Sequence, residues 1–371
     1  MKPSGLAMPC PILIASLGDR GLVSKGTSRM RCRNAILALG VLFTFAGPGW
    51  AGDFLCDDRL SFTVGTHTYQ IPYCHNFPID MPNADVTRII VAIHGAQRTA
   101  VTTYHDVMAA AKAAGADQTS LIIAPQFVNQ DDVAQYGLAD DILFWTNNQW
   151  RLGDRSANSD PRPANVSSYA LVDELLSRIA DSGNFCNLST VIVSGHSGGG
   201  QFSQHFAAGS LGENHLVGEL GLSVHYVTMN PGSLLYLDPA RRVPDTDMFA
   251  PPDAGECPNY NRYGYGLDNL NAYMARAGAQ AIRCQYGQRE VVYILGEEDT
   301  HIDAELDVSC PACLQGANRF ERGSTYYRYL QYFYGPNILN YHVLETVPGV
   351  GHSSPLMYLS GSSLRWLFDN P

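Results

Sequence analysis

Short apolar runs rich in β-branched residues alternate along this chain with longer stretches in which apolar positions recur every three or four residues. The short runs are typical of buried β-strands, and the longer stretches are typical of amphipathic helices. The predicted strands are residues 88–95, 121–127, 190–195, 225–232, 291–299 and 341–349. Strands and helices that alternate in this way build a parallel sheet with crossover helices, so the pattern predicts an α/β fold.

Two of the longer stretches indicate how helices are expected to meet the sheet. Residues 166–180 place Tyr169, Val172 and Leu176 on one face, and serines near the start of the stretch can cap the first helical turn. We expect this segment to be a crossover helix. A second helix is expected within residues 201–210, soon after the third predicted strand.

Residues 233–285 interrupt the alternation because they are rich in Pro, Asp, Gly and Tyr and poor in aliphatic residues. We interpret this segment as an insertion that forms a cap over the C-terminal edge of the sheet. Tyr263 and Tyr265 in the insertion, and Trp145 and Trp150 in an earlier loop, are candidates to line a substrate-binding groove. The alternative for all four residues is that they pack inside their own loops.

The N-terminal region has the pattern of a secretory signal peptide. Two arginines precede an apolar run, and the small-x-small sequence GWA follows at residues 49–51. The run is much shorter than the roughly 20 residues that span a bilayer, so we expect cleavage and no membrane span. We therefore predict an N-terminal extension and signal in residues 1–51 and one folded domain in residues 52–371, in a secreted or periplasmic protein. Residues 1–29 either extend the signal or precede a true start at Met30.

Composition and charge narrow the choice of partners. The chain is 45% hydrophobic and 16% charged, as in globular proteins. Residues 1–51 hold six lysines and arginines but only Asp19 as an acid, so their removal changes the formal net charge from −11 to −16. A chain this acidic repels nucleic acids and anionic lipids, so we expect neither as a partner.

Removal of the signal leaves seven of the nine cysteines, and most of them are expected to pair in an oxidising compartment. Cys56 and Cys74 lie nearly symmetrically about residues 65–66, so a hairpin turning there would place them opposite each other. The CPAC sequence at residues 310–313 could bind zinc or be redox-active, but a second pair with metal-site spacing is missing, so we expect a local disulfide. Cys186 is the expected free thiol.

The sequence GHSGG at residues 195–199 joins a predicted strand to a predicted helix. A serine in such a turn has a strained backbone and an exposed hydroxyl, and the flanking glycines Gly195 and Gly199 relieve the clash. Ser197 is therefore a candidate nucleophile, and the N–H of Gly198, in the first helical turn, is a candidate oxyanion donor. The alternative is an ordinary glycine-rich turn in a chain that has 35 glycines.

The partners of a nucleophilic serine are expected in loops that follow later strands. His352 lies in a glycine-flanked loop after the last strand and is the expected base, whereas His196 is expected to point away from the serine. Asp299, three residues past a strand-ending glycine, is the expected orienting acid. The amide of Ala96 is the expected second oxyanion donor. The acidic cluster at 297–303 lacks the spacing and the turn glycine of a calcium loop, so no metal is expected.

The motifs HGA, GHSGG, GEED and GVGH occur in an order that resembles the α/β-hydrolase superfamily, and the resemblance covers nearly all of the chain after the signal. More narrowly, GHSGGGQ, APQF, YGLDNL, LGEEDT and CLQGANRFERG resemble a group of secreted microbial α/β-hydrolases whose members mostly lack assigned substrates. The resemblance implies a mostly parallel eight-stranded sheet, a triad and an oxyanion hole. The implied residues are Ser197, Asp299 and His352 for the triad and Gly198 and Ala96 for the hole. The HGGG run of some lipases and esterases is absent, so their preference for bulky alcohols is not carried over.

These observations predict a secreted serine hydrolase that cleaves small-molecule or polymeric carboxylic esters through an acyl-enzyme and needs no cofactor. The same triad can also hydrolyse amides or the carbon–carbon bond of a β-diketone. A non-catalytic binding module on the same fold is a further alternative, and the intact triad argues against it.

Overall fold

The computed structural model of the protein describes residues 54–253 and 255–369, so the predicted signal and extension in residues 1–51 lie outside the described residues. The strands are β1 Asp58–Val64, β2 His67–His75, β3 Arg88–Ile93, β4 Ser120–Pro125, β5 Asn158–Ser159, β6 Arg162–Pro163, β7 Thr190–His196, β8 Ser223–Met229, β9 Arg241–Arg242, β10 Phe249–Ala250, β11 Glu290–Gly296 and β12 His342–Val347. The helices are α1 Ala100–Ala113, α2 Gln130–Tyr136, α3 Ser168–Asp181, α4 Gly198–Gly209, α5 Met274–Tyr286, α6 Cys310–Cys313, α7 Arg319–Tyr334, α8 Ser354–Tyr358 and α9 Gly361–Phe368.

Eight of the strands form one sheet in the order β1-β2-β4-β3-β7-β8-β11-β12. The β1–β2 and β2–β4 pairs are antiparallel, and every later pair is parallel. All six predicted strands are present in this sheet, and their ends differ from the prediction by three residues or fewer. The predicted α/β fold with a mostly parallel eight-stranded sheet is therefore confirmed.

The sheet is covered on both faces, as parallel sheets require. Every residue of β3, β4 and β7 is buried. Within β3, Ile89 and Val91 pack into the same cluster as α3 and α4, whereas Ile90 and Ala92 pack into the cluster that contains α1 and α9. Alternate side chains of a strand point to opposite faces, so one short apolar run contributes side chains to the hydrophobic clusters on both faces of the sheet.

The predicted hairpin and its disulfide are both present. Strands β1 and β2 turn at Gly65, whose φ is +62°, and Val64 pairs with His67. Cys56 and Cys74 are joined by a disulfide with Cα atoms 5.1 Å apart. The prediction of this pair is confirmed. It could be made from sequence because the two cysteines lie at similar distances from the turn of the hairpin.

The other two cysteine predictions are wrong. Cys310 is bonded to Cys257 and not to Cys313, which is exposed and free. Cys186 is not the free thiol, because it is disulfide-bonded. The pairing of Cys310 depends on a long-range contact with the segment between β8 and α5, which the CPAC spacing does not reveal.

The segment predicted as an insertion contains the β9–β10 ribbon, which is separate from the main sheet. Its irregular part ends before Met274. Residues 274–286 form α5, which connects β8 to β11 and buries Ile282 and Tyr286 in the core. The described ranges contain no helix with both the length and the apolar character needed to cross a bilayer.

Helix α4 approaches the ends of two strands so closely that only glycine fits at its start. A Cβ atom on Gly199 would overlap the carbonyl oxygen of Ile93 at the end of β3. A Cβ on Gly200 would lie 2.5 Å from the carbonyl oxygen of Met229 at the end of β8. At the other end of the helix, Arg289 donates to the carbonyl of Ala207 at 2.6 Å and to that of Ser210 at 2.8 Å. The helix is thus fixed at both ends.

We predict that Gly199→Ala lowers the free energy of unfolding by about 3 kcal/mol or more, because the buried backbone at the end of β3 cannot move away from the added methyl group. The control is Gly361→Ala at the start of α9, where a Cβ has nothing within 4 Å. That variant is expected to be as stable as the natural protein or more stable by up to about 1 kcal/mol. Urea denaturation measures both changes. Equal stability of the two variants would show that the close approach at Gly199 is absent.

Candidate active site

Ser197 occupies the turn between β7 and α4 with a left-handed backbone, φ 60° and ψ −119°. Non-glycine residues adopt this conformation rarely and at some cost, and a serine in this position is the mark of a nucleophile elbow. The turn is fixed because the N–H of Ser197 donates to the carbonyl of Met229 at 2.9 Å. The side chain is half-buried, so its hydroxyl remains accessible.

The structure brings Ser197, His352 and Asp299 together. The Nε2 atom of His352 lies 2.9 Å from the Oγ atom of Ser197, and its Nδ1 atom lies 2.7 Å from Oδ2 of Asp299. A carboxylate only accepts, so Nδ1 carries the proton and Nε2 is left to accept the serine hydroxyl. Asp299 is 1% exposed, while the His352 side chain is 23% exposed. The three side chains therefore form one hydrogen-bonded chain that opens to solvent at the serine.

The loops that carry the acid and the base are bonded to each other. The N–H of Glu297 donates to the carbonyl of Val347 at 3.1 Å, and the N–H of Glu298 donates to that of Val350 at 3.0 Å. The parallel pairing of β11 with β12 thus continues past the ends of both strands. Asp299 and His352 follow directly, which explains how residues so distant in sequence meet.

A buried arginine that the sequence analysis missed lies behind the acid. Arg319 is 1% exposed, and its Nη1 atom is 3.6 Å from Oδ1 of Asp299. Its two Nη atoms also hold Asp303 at 2.7 and 2.8 Å, and these hydrogen bonds lower the pKa of Asp303 to about 2. Arg319 begins α7, where the helix dipole disfavours a cation. An arginine at the start of a helix is unfavourable unless acidic side chains compensate for it, and this is the feature that points to its partners.

His196 also belongs to the site, so the expectation that it points away is wrong. Its ring centroid is 4.5 Å from that of His352, and its Nε2 atom is 3.3 Å from Nδ2 of Asn230. Burial lowers the pKa of His196 well below its usual value, and the nearby His352 and Arg319 lower it further. The residue is therefore a neutral imidazole packed against His352.

The peptide between Gly95 and Ala96 has a fixed orientation. The carbonyl of Gly95 accepts from the N–H of Arg98 at 3.0 Å and from Nδ1 of His94 at 2.9 Å. Nε2 of His94 accepts from the N–H of Phe127 at 2.9 Å, and burial lowers the pKa of His94 to about 4, so this histidine stays neutral. Because the peptide is trans, the N–H of Ala96 points away from the fixed carbonyl.

The two amides expected to bind an oxyanion are neighbours. A Cβ on Gly198 would lie 3.1 Å from the nitrogen of Ala96. Within the described part of the chain, neither N–H has a hydrogen-bond acceptor. Unpaired amides beside a reactive hydroxyl can stabilise a developing negative charge, and the one on Gly198 has the added field of the α4 N-terminus.

A cavity of about 260 Å³ opens beside Ser197 and His352. Its wall combines polar and apolar atoms in similar amounts, and Ile93 is the one large aliphatic residue among those that line it. The lining residues are Ile93, Gly95, Ala96, Gln97, Thr99, Thr102, Thr103, His196, Ser197, Glu305, His352 and Ser354. Elsewhere in residues 54–253 and 255–369, no group of three or more histidine, cysteine or acidic residues is arranged to hold a metal ion.

The aromatic residues predicted to bind substrate do not line this cavity. Trp145 and Trp150 are 0% exposed, so a ligand cannot touch them, and their assignment is wrong. Trp150 instead packs edge-on against His94, with ring centroids 4.3 Å apart. The hydroxyl of Tyr263 donates to a backbone carbonyl at 2.6 Å, and that of Tyr265 donates to a carboxylate at 2.5 Å. Aromatic residues in polar loops look alike in sequence whether they anchor a loop or face a ligand.

Comparison with known proteins gives structural relatives only. No protein-family profile matches the chain, and no curated protein matches it. The poly(aspartic acid) hydrolase-1 of Sphingomonas sp. KT-1 is similar with a TM-score of 0.52 and 20% identity, over 84% of this chain and 99% of its own. A poly(3-hydroxybutyrate) depolymerase of Bordetella parapertussis is similar with a TM-score of 0.53 and 20% identity, over 81% of this chain and 84% of its own. These likenesses concern the fold, and together with the strand order and the strained serine turn they show that the chain has the α/β-hydrolase fold.

Proposed function

We propose that the protein is a serine hydrolase that cleaves carboxylic esters through an acyl-enzyme. The observation that carries the proposal is the hydrogen-bonded chain from Ser197 through His352 to Asp299, with distances of 2.9 and 2.7 Å. Two unpaired amides next to the hydroxyl support it. This combination of nucleophile, base, orienting acid and oxyanion donors suits acyl transfer.

In the proposed acylation, Nε2 of His352 removes the proton of Ser197 while Oγ attacks the ester carbonyl. Asp299 holds the imidazole in the required tautomer and stabilises the imidazolium that forms. The N–H groups of Gly198 and Ala96 bind the oxyanion, and each well-placed donor contributes about 3 kcal/mol to the transition state. The imidazolium then gives its proton to the leaving alcohol as the carbonyl–oxygen bond breaks.

In the proposed deacylation, a water molecule takes the place of the alcohol. His352 removes a proton from that water, and the resulting oxygen attacks the acyl carbonyl. The same two amides stabilise the second oxyanion. The proton returns from His352 to Oγ of Ser197 as the acid leaves, so the enzyme is regenerated without any cofactor.

Arg319 is proposed to support the acid without touching the substrate. A buried carboxylate needs compensation for the loss of water, and the proposed mechanism requires His352 to start without a charge that could supply it. Arg319 supplies this compensation from 3.6 Å on the oxygen that His352 does not use. The two buried charges of Asp299 and Arg319 balance each other, and the exposed carboxylate of Asp303 holds Arg319 in position from the solvent side.

Two disulfides among the described cysteines, Cys56–Cys74 and Cys257–Cys310, support the further proposal that the protein works outside the cytoplasm. Structural disulfides persist in oxidising compartments and are rare in the cytosol. The signal-like sequence in residues 1–51 points the same way.

Ser197→Ala is expected to lower kcat on p-nitrophenyl acetate by about 10⁴-fold or more, because the variant has no atom to acylate. Ser203→Ala is the matched control, since this serine lies on the same helix and its hydroxyl donates to the carbonyl of Gly199, at 3.0 Å. A fluorophosphonate is expected to label the natural protein and the control but not Ser197→Ala. Full turnover by Ser197→Ala contradicts the proposal. A folded natural protein that resists labelling would favour the non-catalytic binding module.

Asp299→Asn is expected to lower kcat by about 10⁴-fold with little change in stability, because an amide can donate to the imidazole and select the wrong tautomer. Glu298→Gln, at an exposed neighbouring position, is the control and is expected to keep its activity. Steady-state kinetics with the same ester compare the two. If both variants are equally active, Asp299 is not the orienting acid.

The small cavity is expected to favour short acyl groups. A fully buried methylene gains about 0.8 kcal/mol, but a cavity of about 260 Å³ with one large aliphatic residue, Ile93, has too little room to bury the methylenes of a long chain. We predict a kcat/KM for p-nitrophenyl butyrate at least about tenfold above that for the palmitate ester, both measured below the micelle limit. Thr102→Val should reduce this ratio, whereas Thr119→Val, outside the cavity, should not. A preference for palmitate would contradict the prediction.

A further inference from the structure

The side chain of Asn230 lies where the three segments that carry the candidate triad meet. The residue follows β8 directly, is 0% exposed and has a left-handed backbone with φ 42°. Its N–H donates to the carbonyl of Ile294 in β11 at 3.2 Å, which places the residue between the two strands. A buried carboxamide must use its hydrogen-bonding groups inside the protein.

The carboxamide of Asn230 bonds to all three segments. Its Oδ1 atom accepts from the N–H of Gly296, where the loop to Asp299 begins, at 2.8 Å. Its Nδ2 atom donates to the carbonyl of Gly351, next to His352, at 3.3 Å and to Nε2 of His196, next to Ser197, at 3.3 Å. A peptide N–H only donates and a carbonyl only accepts, so the orientation of the amide is determined.

This arrangement also fixes the proton on His196. Nε2 accepts from Asn230, so the proton of the neutral ring is on Nδ1. The charged and titratable groups near this ring are His352 and Arg319, which are paired with Asp299 and Asp303, and Glu305, which lines the same cavity. A second proton, on Nε2, would make His196 a cation next to the ring of His352. The proposed mechanism requires His352 itself to become a cation, so the two charges would repel each other.

We propose that Asn230 is a positioning residue of the site: it joins the nucleophile, acid and base segments and keeps His196 in the neutral Nδ1–H form against His352. This inference rests on the proposed hydrolase function. Aspartate has the same shape but no donor, so it would repel the carbonyl of Gly351 and attract a proton to His196.

The principal test is Asn230→Asp, assayed with p-nitrophenyl butyrate between pH 5 and 9. We expect kcat to fall at least tenfold while KM changes less than threefold. The acid limb of kcat/KM should move to lower pH, because a charged His196 opposes protonation of His352. Asn261→Asp is the matched control, since this buried asparagine bonds to Arg241 at 3.2 Å, away from the triad. A reduced kcat with an unmoved acid limb, or a kcat within threefold of the natural protein, overturns the proposal.

Nitrogen-15 NMR of the histidine rings tests the proton position without relying on activity. The natural protein should show a ring with Nδ1 protonated and Nε2 unprotonated from pH 8 down to pH 5, and this signal should vanish in His196→Phe. In Asn230→Asp the same ring should carry both protons at pH 6. A natural His196 with its proton on Nε2 overturns the proposal.

His196→Phe separates the two parts of the role and remains informative if Asn230→Asp fails to fold. Phenylalanine keeps a neutral ring against His352, so the acid limb of kcat/KM should stay where the natural protein has it, whatever the change in kcat. An acid limb that moves in His196→Phe overturns the claim that a neutral ring at this position keeps it in place. Ser197→Ala is the reference in each experiment. If Ser197→Ala keeps its activity, the hydrolase proposal fails. If Ser197→Ala is inactive and the Asn230 variants behave like the natural protein, only this inference fails.

Discussion

The contact between the start of α4 and the ends of β3 and β8 is the constraint on which the rest of the site depends. The backbone of α4 contacts the backbone of both strands directly, so there is no room for a side chain at Gly199 or Gly200. The chain can make this contact only by turning sharply at Ser197, which lifts the hydroxyl above the sheet. The same contact sets the amide of Gly198 beside that of Ala96. One packing requirement thus places both the hydroxyl of the candidate nucleophile and the two amides beside it.

The buried polar groups around this contact are arranged so that the donor and the acceptor of each hydrogen bond are determined. The ring of His94 donates to Gly95 and accepts from Phe127, so its tautomer is determined. The carboxamide of Asn230 has a donor on one side and an acceptor on the other, so its orientation is determined as well. Misplacing such a group costs the full desolvation of an unpaired donor or acceptor, on the order of 1–3 kcal/mol. A network of this kind selects one arrangement of loops, and the loops carry the chemistry.

Most of the fold and the central part of the site could be predicted from local sequence pattern. Periodicity located six strands, and glycine spacing located the turn at Ser197. The hairpin symmetry located the Cys56–Cys74 pair, because hairpin register is a local property. The surroundings of the triad could not be predicted, because they depend on which surfaces meet. Trp150 and Arg319 lie in polar stretches and are nevertheless buried. The partner of Cys310 comes from a segment with no periodic pattern, so no spacing rule applies to it.

The left-handed backbone at Ser197 has a consequence for how the chain can evolve. A residue with a Cβ atom in this conformation is strained by about 1 kcal/mol or more, and glycine is not. Mutations to glycine at this position would therefore tend to make the protein more stable while removing the hydroxyl of the candidate nucleophile. Backbone strain and the proposed catalysis favour different residues at this position, so a lineage selected only for stability would tend to lose the serine.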